Sequence, residues 1–267
     1  MNVPIRPAIG APISRPGSNG LRWWTQSISW LFGDVTRLGI WIGMVLCFFL
    51  VLAAMQWFPV LGSLAAHLLA FVFSGGLMVA AQVTQRGLVP RFADLFGGFG
   101  PQGGALVGAA LLILVAVLAV WGLMLAVGAG AFVATLASSG SWQDYEAPTL
   151  AAMRIGWVSA LLLLGCLLLL VPISMAAWLA PALIMLRGAN PVDALRLSLS
   201  ACWRNMGALT VYGLVGVGLA ILASLPLLTG WFILVPLMFL STYAAFHDIF
   251  GDGVEVLDAH TEEGSAY

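Results

Sequence analysis

The chain has 267 residues, of which 61% are hydrophobic and only 8% are charged, and its mean hydropathy is +1.04. Soluble domains carry about 25% charged residues, so this composition excludes a soluble globular protein and is typical of an integral membrane protein. The ten basic residues are all arginine and the net charge is −1. Without a strongly basic surface, we expect no nucleic-acid partner.

Long stretches without charge predict the membrane-spanning helices. Between Arg37 and Arg86 lie 48 residues without Asp, Glu, Lys or Arg, and similar gaps cover 95–143, 155–186 and 205–247. A spanning helix needs about 20 apolar residues. The first and last gaps therefore each hold two helices, divided by turns that contain proline and glycine. The predicted spans are 38–58, 60–84, 103–130, 155–186, 206–225 and 229–247.

Residues 103–138 are too many for one span and too few for two spans with a turn, so the arginine positions select the topology. If this stretch crosses once, nine of the ten arginines lie on the side of the N-terminus and only Arg154 lies opposite. If it crosses twice, the split becomes seven against three. Because arginine accumulates in cytoplasmic loops, we predict six spans in a bacterial inner membrane with both termini in the cytoplasm.

The two ends of the chain differ in composition from the rest. Residues 1–20 hold four prolines, three glycines and no apolar core of a signal peptide, so we predict a flexible, disordered tail. Residues 251–267 are acidic, and we predict a second disordered tail there. The part between them, 21–250, is predicted to be one six-helix domain. The three cysteines suggest neither a disulfide framework nor a metal cluster.

Three stretches that precede pairs of spans share a helical pattern of apolar residues. They are "RWWTQSISWLFGDVTR", "VPRFADLFGGFG" and "ANPVDALRLSLSACWRNMGALTVYG". The apolar residues that recur on one helical face are Trp24, Ile28, Leu31 and Val35, then Phe92, Leu95, Phe96 and Phe99, then Val192, Leu195, Leu199, Cys202, Trp203 and Met206. We therefore predict an all-α membrane protein of three hairpins, each preceded by a cytoplasmic amphipathic helix at the membrane surface.

The third of these helices carries most of the candidate binding residues. Asn190 followed by Pro191 is a favourable helix start, and Asp193 can pair with Arg196 one turn later. The candidates for contact with anionic lipid headgroups or another membrane protein are Arg196, Ser200 and Arg204, at positions i, i+4 and i+8, together with Arg91 of the second stretch. We favour the alternative that these helices only pack beneath the spanning helices, because there are fewer arginines than in a lipid-binding cluster.

Three segments carry a resemblance to a known family. They are "RGLVPRFADLFGGF", "APALIMLRGANPVDALRLSLSACWRNMGALTVYG" and "LSTYAAFHDIF". The chain resembles, over roughly residues 22–250, uncharacterised proteobacterial inner-membrane proteins with six predicted helices. Its layout is more distantly similar to the membrane domain attached to some glycerophosphodiester phosphodiesterases, but it has no room for their catalytic barrel. The resemblance implies a six-helix fold and an inner-membrane location, and it transfers no catalytic residue.

His67 is the one ionisable side chain deep inside a predicted span, and such groups are by default candidates for a functional site. The alternative, which we favour, is a structural hydrogen bond between helices. No Asp or Glu lies within a predicted span, which does not favour a proton- or sodium-coupled transporter. His247 and Asp248 are adjacent and point about 100° apart on a helix, so we do not interpret them as an acid–base or metal pair.

The sequence therefore predicts an integral inner-membrane protein that acts as a non-enzymatic accessory or scaffold subunit in the envelope or in a membrane complex. The alternative is a permease for a small or lipid-like molecule, which the proline-containing fourth span, the glycine-rich fifth span and His67 would favour. These two hypotheses differ in whether a polar cavity reaches His67. We expect no catalytic residues, no metal and no cofactor, and we expect the bilayer itself to be a partner.

Overall fold

The computed structural model describes residues 10–138, 147–225 and 229–251. The predicted acidic tail, from residue 252 onward, and residues 1–9 of the predicted N-terminal tail lie outside this range. The chain divides into two compact units, one comprising Met1–Ala110 with Ala176–Tyr267 and the other comprising Leu111–Met175.

The described part of the chain is helical. Its α-helices are α1 (Asn19–Phe32), α2 (Val35–Met55), α3 (Pro59–Gln85), α4 (Gly103–Ser138), α5 (Ala147–Trp178), α6 (Ala180–Arg187), α7 (Pro191–Arg204), α8 (Met206–Ser224) and α9 (Trp231–Phe250). A 3-10 helix, called here the 3-10 segment, covers Phe92–Phe99 between α3 and α4.

Among the described residues, six stretches are long and apolar enough to span a membrane, which is the number that the charge gaps predict. They are Val35–Met55, Pro59–Gln85, Gly103–Ala131, Gly156–Arg187, Met206–Ser224 and Trp231–Phe250. The uncertain stretch 103–138 forms the single helix α4, without a break at its glycines. The fourth stretch is interrupted once, at Leu179, where α5 ends and α6 begins.

Local sequence accounts for several helix ends. The Asp34 carboxylate accepts a hydrogen bond of 2.7 Å from the Thr36 N–H and so caps α2. Asn190 caps α7 through the Asp193 N–H, and Pro191 is the first helical residue, as the sequence predicts. Asp193 also accepts a hydrogen bond from the Asn190 amide, so its structural partner is the cap residue. Gly188 ends α6 in the left-handed conformation with a φ of 63°.

Helix α9 lies at the centre of the first unit, where it contacts α1, α2, α3 and α8. Its fully buried side chains include Leu240, Ala245 and Ile249. Helices α2 and α3 contact each other directly, as do α8 and α9. The core of this unit therefore forms around a helix that stands last in the described chain.

The short helices turn small or aromatic residues towards the protein. Helix α1 buries Trp23, Trp24 and Leu31. On the predicted apolar face of α1, by contrast, Ile28 is exposed, and Val35 is exposed as the first residue of α2. In the 3-10 segment only Leu95 of the predicted apolar face is buried. We predicted an amphipathic helix in this stretch, and its backbone forms a 3-10 helix rather than an α-helix.

In helix α7 the predicted apolar face is likewise divided between the inside and the outside of the protein. Its buried residues are Ala194, Ser198, Ala201 and Cys202, which are all small, while Val192 and Trp203 are exposed. Small residues allow close helix contacts in a membrane protein, where lipid removes the usual advantage of burying large apolar side chains. The predicted apolar face of α7 therefore lies partly inside, with Cys202 buried and Leu195 and Leu199 half-buried, and partly outside.

The second unit consists of the adjoining parts of α4 and α5. Within it, Gly128 lies against Leu162, and Gly165 lies against Met124. Many of its large apolar side chains are exposed, including Leu118, Leu125, Leu161, Leu164 and Leu168. Such a surface is typical of helices that face acyl chains.

Candidate functional site

The Asp248 carboxylate organises the polar end of the first unit. One of its oxygens lies 3.1 Å from the Arg15 Nε, and the other accepts hydrogen bonds from the Asn19 amide at 2.6 Å and the Trp23 indole N–H at 3.0 Å. The Arg15 guanidinium also donates to the Asp248 carbonyl oxygen. One acidic residue of α9 therefore holds the N-terminal segment and the first turns of α1.

Asn205, between α7 and α8, makes the second set of contacts with the N-terminal segment. Its Oδ1 accepts from the Arg15 N–H at 2.7 Å, and its Nδ2 donates to the carbonyl oxygens of Ile13 and Ala201. The Ile13 N–H in turn donates to the Ile249 carbonyl oxygen. Within the tail that we predicted, Ile13 and Arg15 thus bind α9 and the Asn205 side chain through their backbone groups.

A small polar cavity of about 140 Å³ lies beside Asp248. It is lined by Arg22, Trp23, Gln26, Trp30, Gln85, Ala244, His247 and Asp248. The side chains of Gln85 and His247 are 3.3 Å apart, and the Tyr243 hydroxyl donates to the Gln85 carbonyl oxygen at 3.1 Å. The cavity has room for a few water molecules, and its polar walls join α1, α3 and α9.

Further arginines bind backbone carbonyl groups at the same end. Arg37 is buried and donates to the Trp30 and Gly87 carbonyl oxygens at 2.6 and 2.7 Å, which joins α1 and the end of α3 to α2. Arg187 donates to the Phe250 and Gly251 carbonyl oxygens, where its charge also complements the C-terminal dipole of α9.

The predicted binding residues of α7 lie on its outer side. Arg196 and Arg204 are exposed and Ser200 is half-buried. Two helical turns separate the two arginines, which corresponds to about 12 Å along the axis. Arg204 also lies 3.5 Å from the Pro12 carbonyl oxygen, so one of the two arginines contacts the N-terminal segment.

Arg91, the fourth predicted binding residue, precedes the 3-10 segment. Its side chain is 86% exposed and lies 3.6 Å from the Asp94 carboxylate, which also accepts from the Arg91 N–H. The structure thus does not bring Arg91 into contact with the arginines of α7.

His67 lies in α3, where it is half-buried. Its Nε2 is 3.2 Å from the Ala110 carbonyl oxygen of α4, and this contact is a hydrogen bond when Nε2 carries the proton. His67 is not among the residues that line the polar cavity beside Asp248. This geometry is that of a hydrogen bond between two helices.

The inner face of α7 contacts the break between α5 and α6. The Ser198 hydroxyl accepts a buried hydrogen bond of 3.0 Å from the Leu179 N–H at the break. Burial raises the pKa of the neighbouring Cys202 thiol from 9.0 to about 12, although a hydrogen bond with Ser198 lowers it. Cys202 is therefore a protonated packing residue at physiological pH.

Sequence reasoning missed the cluster around Asp248. Its other members are Arg15, Asn19 and Trp23, which stand four residues apart near the N-terminus, and Asn205, which like Asp248 lies more than 180 residues further along the chain. The available signal was that Asp248 is a carboxylate at the end of an apolar helix, where an unpaired charge would be costly. That signal predicts a partner for Asp248 without identifying it.

Comparison with known proteins gives one coarse result. Over 50 residues the chain is 48% identical to a protein of Burkholderia thailandensis named "probable inner membrane protein". These 50 residues are 19% of this chain and 18% of that protein. No described family matches the chain, and no solved structure matches it. Nothing in these comparisons connects it with glycerophosphodiester phosphodiesterases, so that part of the resemblance stays a prediction.

The six apolar helices and this similarity together define the class of protein. The chain is an integral membrane protein that crosses the bilayer several times. The name of the similar protein supports an inner-membrane location for this chain.

Proposed function

We propose that the protein is a non-enzymatic accessory or scaffold subunit of the inner membrane, with six spans arranged as three consecutive hairpins and both termini in the cytoplasm. The observation that carries this proposal is the use of polar side chains. Asp248, Asn205, Arg37 and His67 all bind other segments of the same chain. Such contacts stabilise a rigid helical framework and are the expected use of polar groups in a protein that supports an assembly.

The arginines support the proposed orientation. Arg15 and Arg187 contact backbone carbonyl groups near the end of α9, Arg37 contacts one just after α3, and Arg204 contacts the Pro12 carbonyl of the N-terminal segment. An arginine-rich end belongs on the cytoplasmic side. Cysteines introduced at Arg196 and within residues 139–146 test this orientation through labelling with a membrane-impermeant maleimide. We expect labelling from opposite sides of the membrane, and labelling of both from one side would contradict six spans.

Helix α7 fits a position at the cytoplasmic membrane surface. Its exposed apolar residues, Val192 and Trp203, stand on the same helix as the exposed Arg196 and Arg204. Arginine close to lipid phosphates and tryptophan at the interface are both favourable there. Contact of Arg196, Ser200 and Arg204 with anionic headgroups or a partner protein is part of the proposal.

Extraction of the full chain in native polymer nanodiscs tests the scaffold function. We expect the chain to leave the membrane in a complex larger than its own mass of 28.1 kDa, together with a second membrane protein in a fixed ratio. Recovery of this chain alone, as monomer or self-associated oligomer, would contradict the scaffold function. A chain unrelated in function but equally abundant serves as the control for chance co-extraction.

A permease is the second candidate, and the break between α5 and α6 favours it. Broken helices with freed backbone groups are common at transporter sites. Here, in contrast, the Ser198 hydroxyl binds the Leu179 N–H at the break, so this backbone group is already paired, which favours the scaffold. Replacement of His67 by cysteine separates the two candidates: labelling by a water-soluble thiosulfonate would support a permease, and protection would support the scaffold. Ser63→Cys, at an exposed position of α3, serves as the accessible control.

A further inference from the structure

The 3-10 segment lies against the middle of α3. A Cβ atom on Gly76 would overlap the Leu95 carbonyl oxygen, and one on Gly98 would overlap the Val72 carbonyl oxygen. Gly76 and Val72 stand nine and thirteen residues before the end of α3 at Gln85, which is about 13 and 20 Å along a helix. The 3-10 segment therefore runs back along a helix that is long and apolar enough to span the membrane, and it contacts this helix well inside its end.

An apolar cavity of about 510 Å³ opens where the 3-10 segment meets α3 and the start of α4. It is lined by Ala65, Leu68, Leu69 and Val72 of α3, and by Gly98, Phe99, Gly100, Gly103, Gly104 and Val107. This volume is within the range of sites that bind small organic molecules. None of the lining side chains is charged, so the site suits an uncharged, flexible group.

A row of phenylalanines connects this cavity to Arg91. The ring centroids of Phe92 and Phe96 are 6.4 Å apart, and those of Phe96 and Phe99 are 6.3 Å apart. All three side chains are about half exposed, and Phe99 lines the cavity. Eight residues of a 3-10 helix extend about 16 Å, so an exposed apolar path of that length joins an exposed guanidinium to the cavity.

We propose that this cavity binds one acyl chain of a membrane phospholipid, whose phosphate contacts Arg91. The chain follows the phenylalanine row, and its end fills the space beside Gly98 and Gly104. Water gains nothing in an apolar cavity, and the molecules that surround a spanning helix are lipids, so an acyl chain is the occupant that the site selects. The guanidinium of Arg91 has five N–H donors, and its one 3.6 Å contact with Asp94 leaves donors for a phosphate. This site does not depend on the scaffold function.

The test uses the full chain purified in detergent and measured by native mass spectrometry with added palmitoyl-oleoyl phosphatidylglycerol or the diacylglycerol with the same chains. Gly104→Leu fills the cavity, because a Cβ at Gly104 meets open space. We expect it to weaken the binding of both lipids about tenfold. Gly122→Leu, on the same helix and also in open space, is the matched control and should bind as the natural chain does.

Arg91→Gln tests the position of the phosphate. We expect it to weaken phosphatidylglycerol about threefold to tenfold and to leave diacylglycerol unchanged, because the diacylglycerol has no phosphate. Arg86→Gln, another exposed arginine after α3, is the control. Circular dichroism shows whether each variant is folded, and Gly104→Ala gives a smaller step in the same direction. Equal binding by Gly104→Leu and Gly122→Leu, no effect of Arg91→Gln, or no preference of the natural chain for phospholipid over detergent would overturn the proposal.

Discussion

Helices α8 and α9 are nearly equal in length but differ in their surroundings. Helix α8 has 19 residues, and its most apolar stretch of 18 residues has a mean hydropathy of 2.0 and is 6% buried inside the protein. Helix α9 has 20 residues, and the corresponding stretch has a mean hydropathy of 1.5 and is 67% buried. The less apolar helix is therefore the central one, which is the reverse of the order expected in a soluble protein.

The polar residues of α9 explain this order. Thr242 accepts a hydrogen bond from the Trp178 indole N–H of α5, and Ser241 bonds the Tyr212 hydroxyl of α8. Tyr243 binds Gln85 of α3, and Asp248 binds α1 and the segment before it. Lipid cannot satisfy such groups, so they stabilise the protein only where other helices surround them. The low hydropathy of α9 thus goes together with its burial.

Among the measurements that distinguish inner from outer positions, we expect the largest effect in the reaction rate of the Cys202 thiol. At pH 8 a thiol of pKa 9.0 is about one-tenth thiolate, whereas one of pKa about 12 is about one ten-thousandth thiolate. Since the pKa is raised, the thiol stays protonated and its reaction with N-ethylmaleimide should be about a thousandfold slower at pH 8. The rate should still rise in proportion to hydroxide at pH 10.

The control for this prediction places a cysteine at the neighbouring exposed position, through Trp203→Cys with Cys202→Ser. Both chains carry Cys47→Ser and Cys166→Ser. The rate for the control should level off near pH 9, because its thiol faces outward. A Cys202 rate that also levels off near pH 9 would show that its thiol is not buried.

Removal of a buried apolar side chain from α9 is expected to have the next largest effect. Leu240 is fully buried, and Leu240→Ala should lower the free energy of unfolding by about 3 kcal/mol, because it leaves a cavity. Leu214→Ala removes the same atoms from α8, where the side chain is 69% exposed. It should change the free energy of unfolding by less than about 0.5 kcal/mol. Unfolding in mixed micelles with increasing sodium dodecyl sulfate measures both. Equal losses would contradict the central position of α9.

The polar contacts of α9 give a somewhat smaller effect. Asp248→Asn removes the charge that binds Arg15 and should lower the free energy of unfolding by about 2 kcal/mol in the same titration. Thr210→Ala on α8 is the control, since that hydroxyl binds only a carbonyl oxygen within its own helix. We expect almost no effect from it. If Asp248→Asn lowered the free energy of unfolding as little as Thr210→Ala does, the cluster around Asp248 would not stabilise the fold.

The smallest effect concerns the joint between α5 and α6. Ser198→Ala leaves the buried Leu179 N–H without its acceptor, so we expect a loss of about 1 kcal/mol. In Ser29→Ala an exposed hydroxyl that binds the Gln26 carbonyl oxygen of α1 is removed, and the stability should not change. If the two serine variants were equally stable, the break would not depend on α7.

The charge pattern by itself predicted the class of protein and the number of apolar helices. Arginines interrupt the sequence where the chain leaves the apolar stretches, and the cost of burying a charge in lipid makes that pattern a local property. The cap of α7 was also local, because Asn190 and Pro191 act on the adjacent turn. The contact of His67 with the Ala110 carbonyl oxygen of α4 is not local, because it depends on which helix lies beside α3.

Only the tertiary structure showed which helix is central and which face of each short helix is inside. Large apolar side chains are stable against either lipid or protein, so the apolar faces of α7 and the 3-10 segment only partly predicted which side is buried. Asp248 found partners more than 220 residues away along the chain, and no local pattern encodes such a contact. The sequence determines what is soluble in lipid, whereas the pairing of polar groups and the close approach of small residues determine how the helices meet.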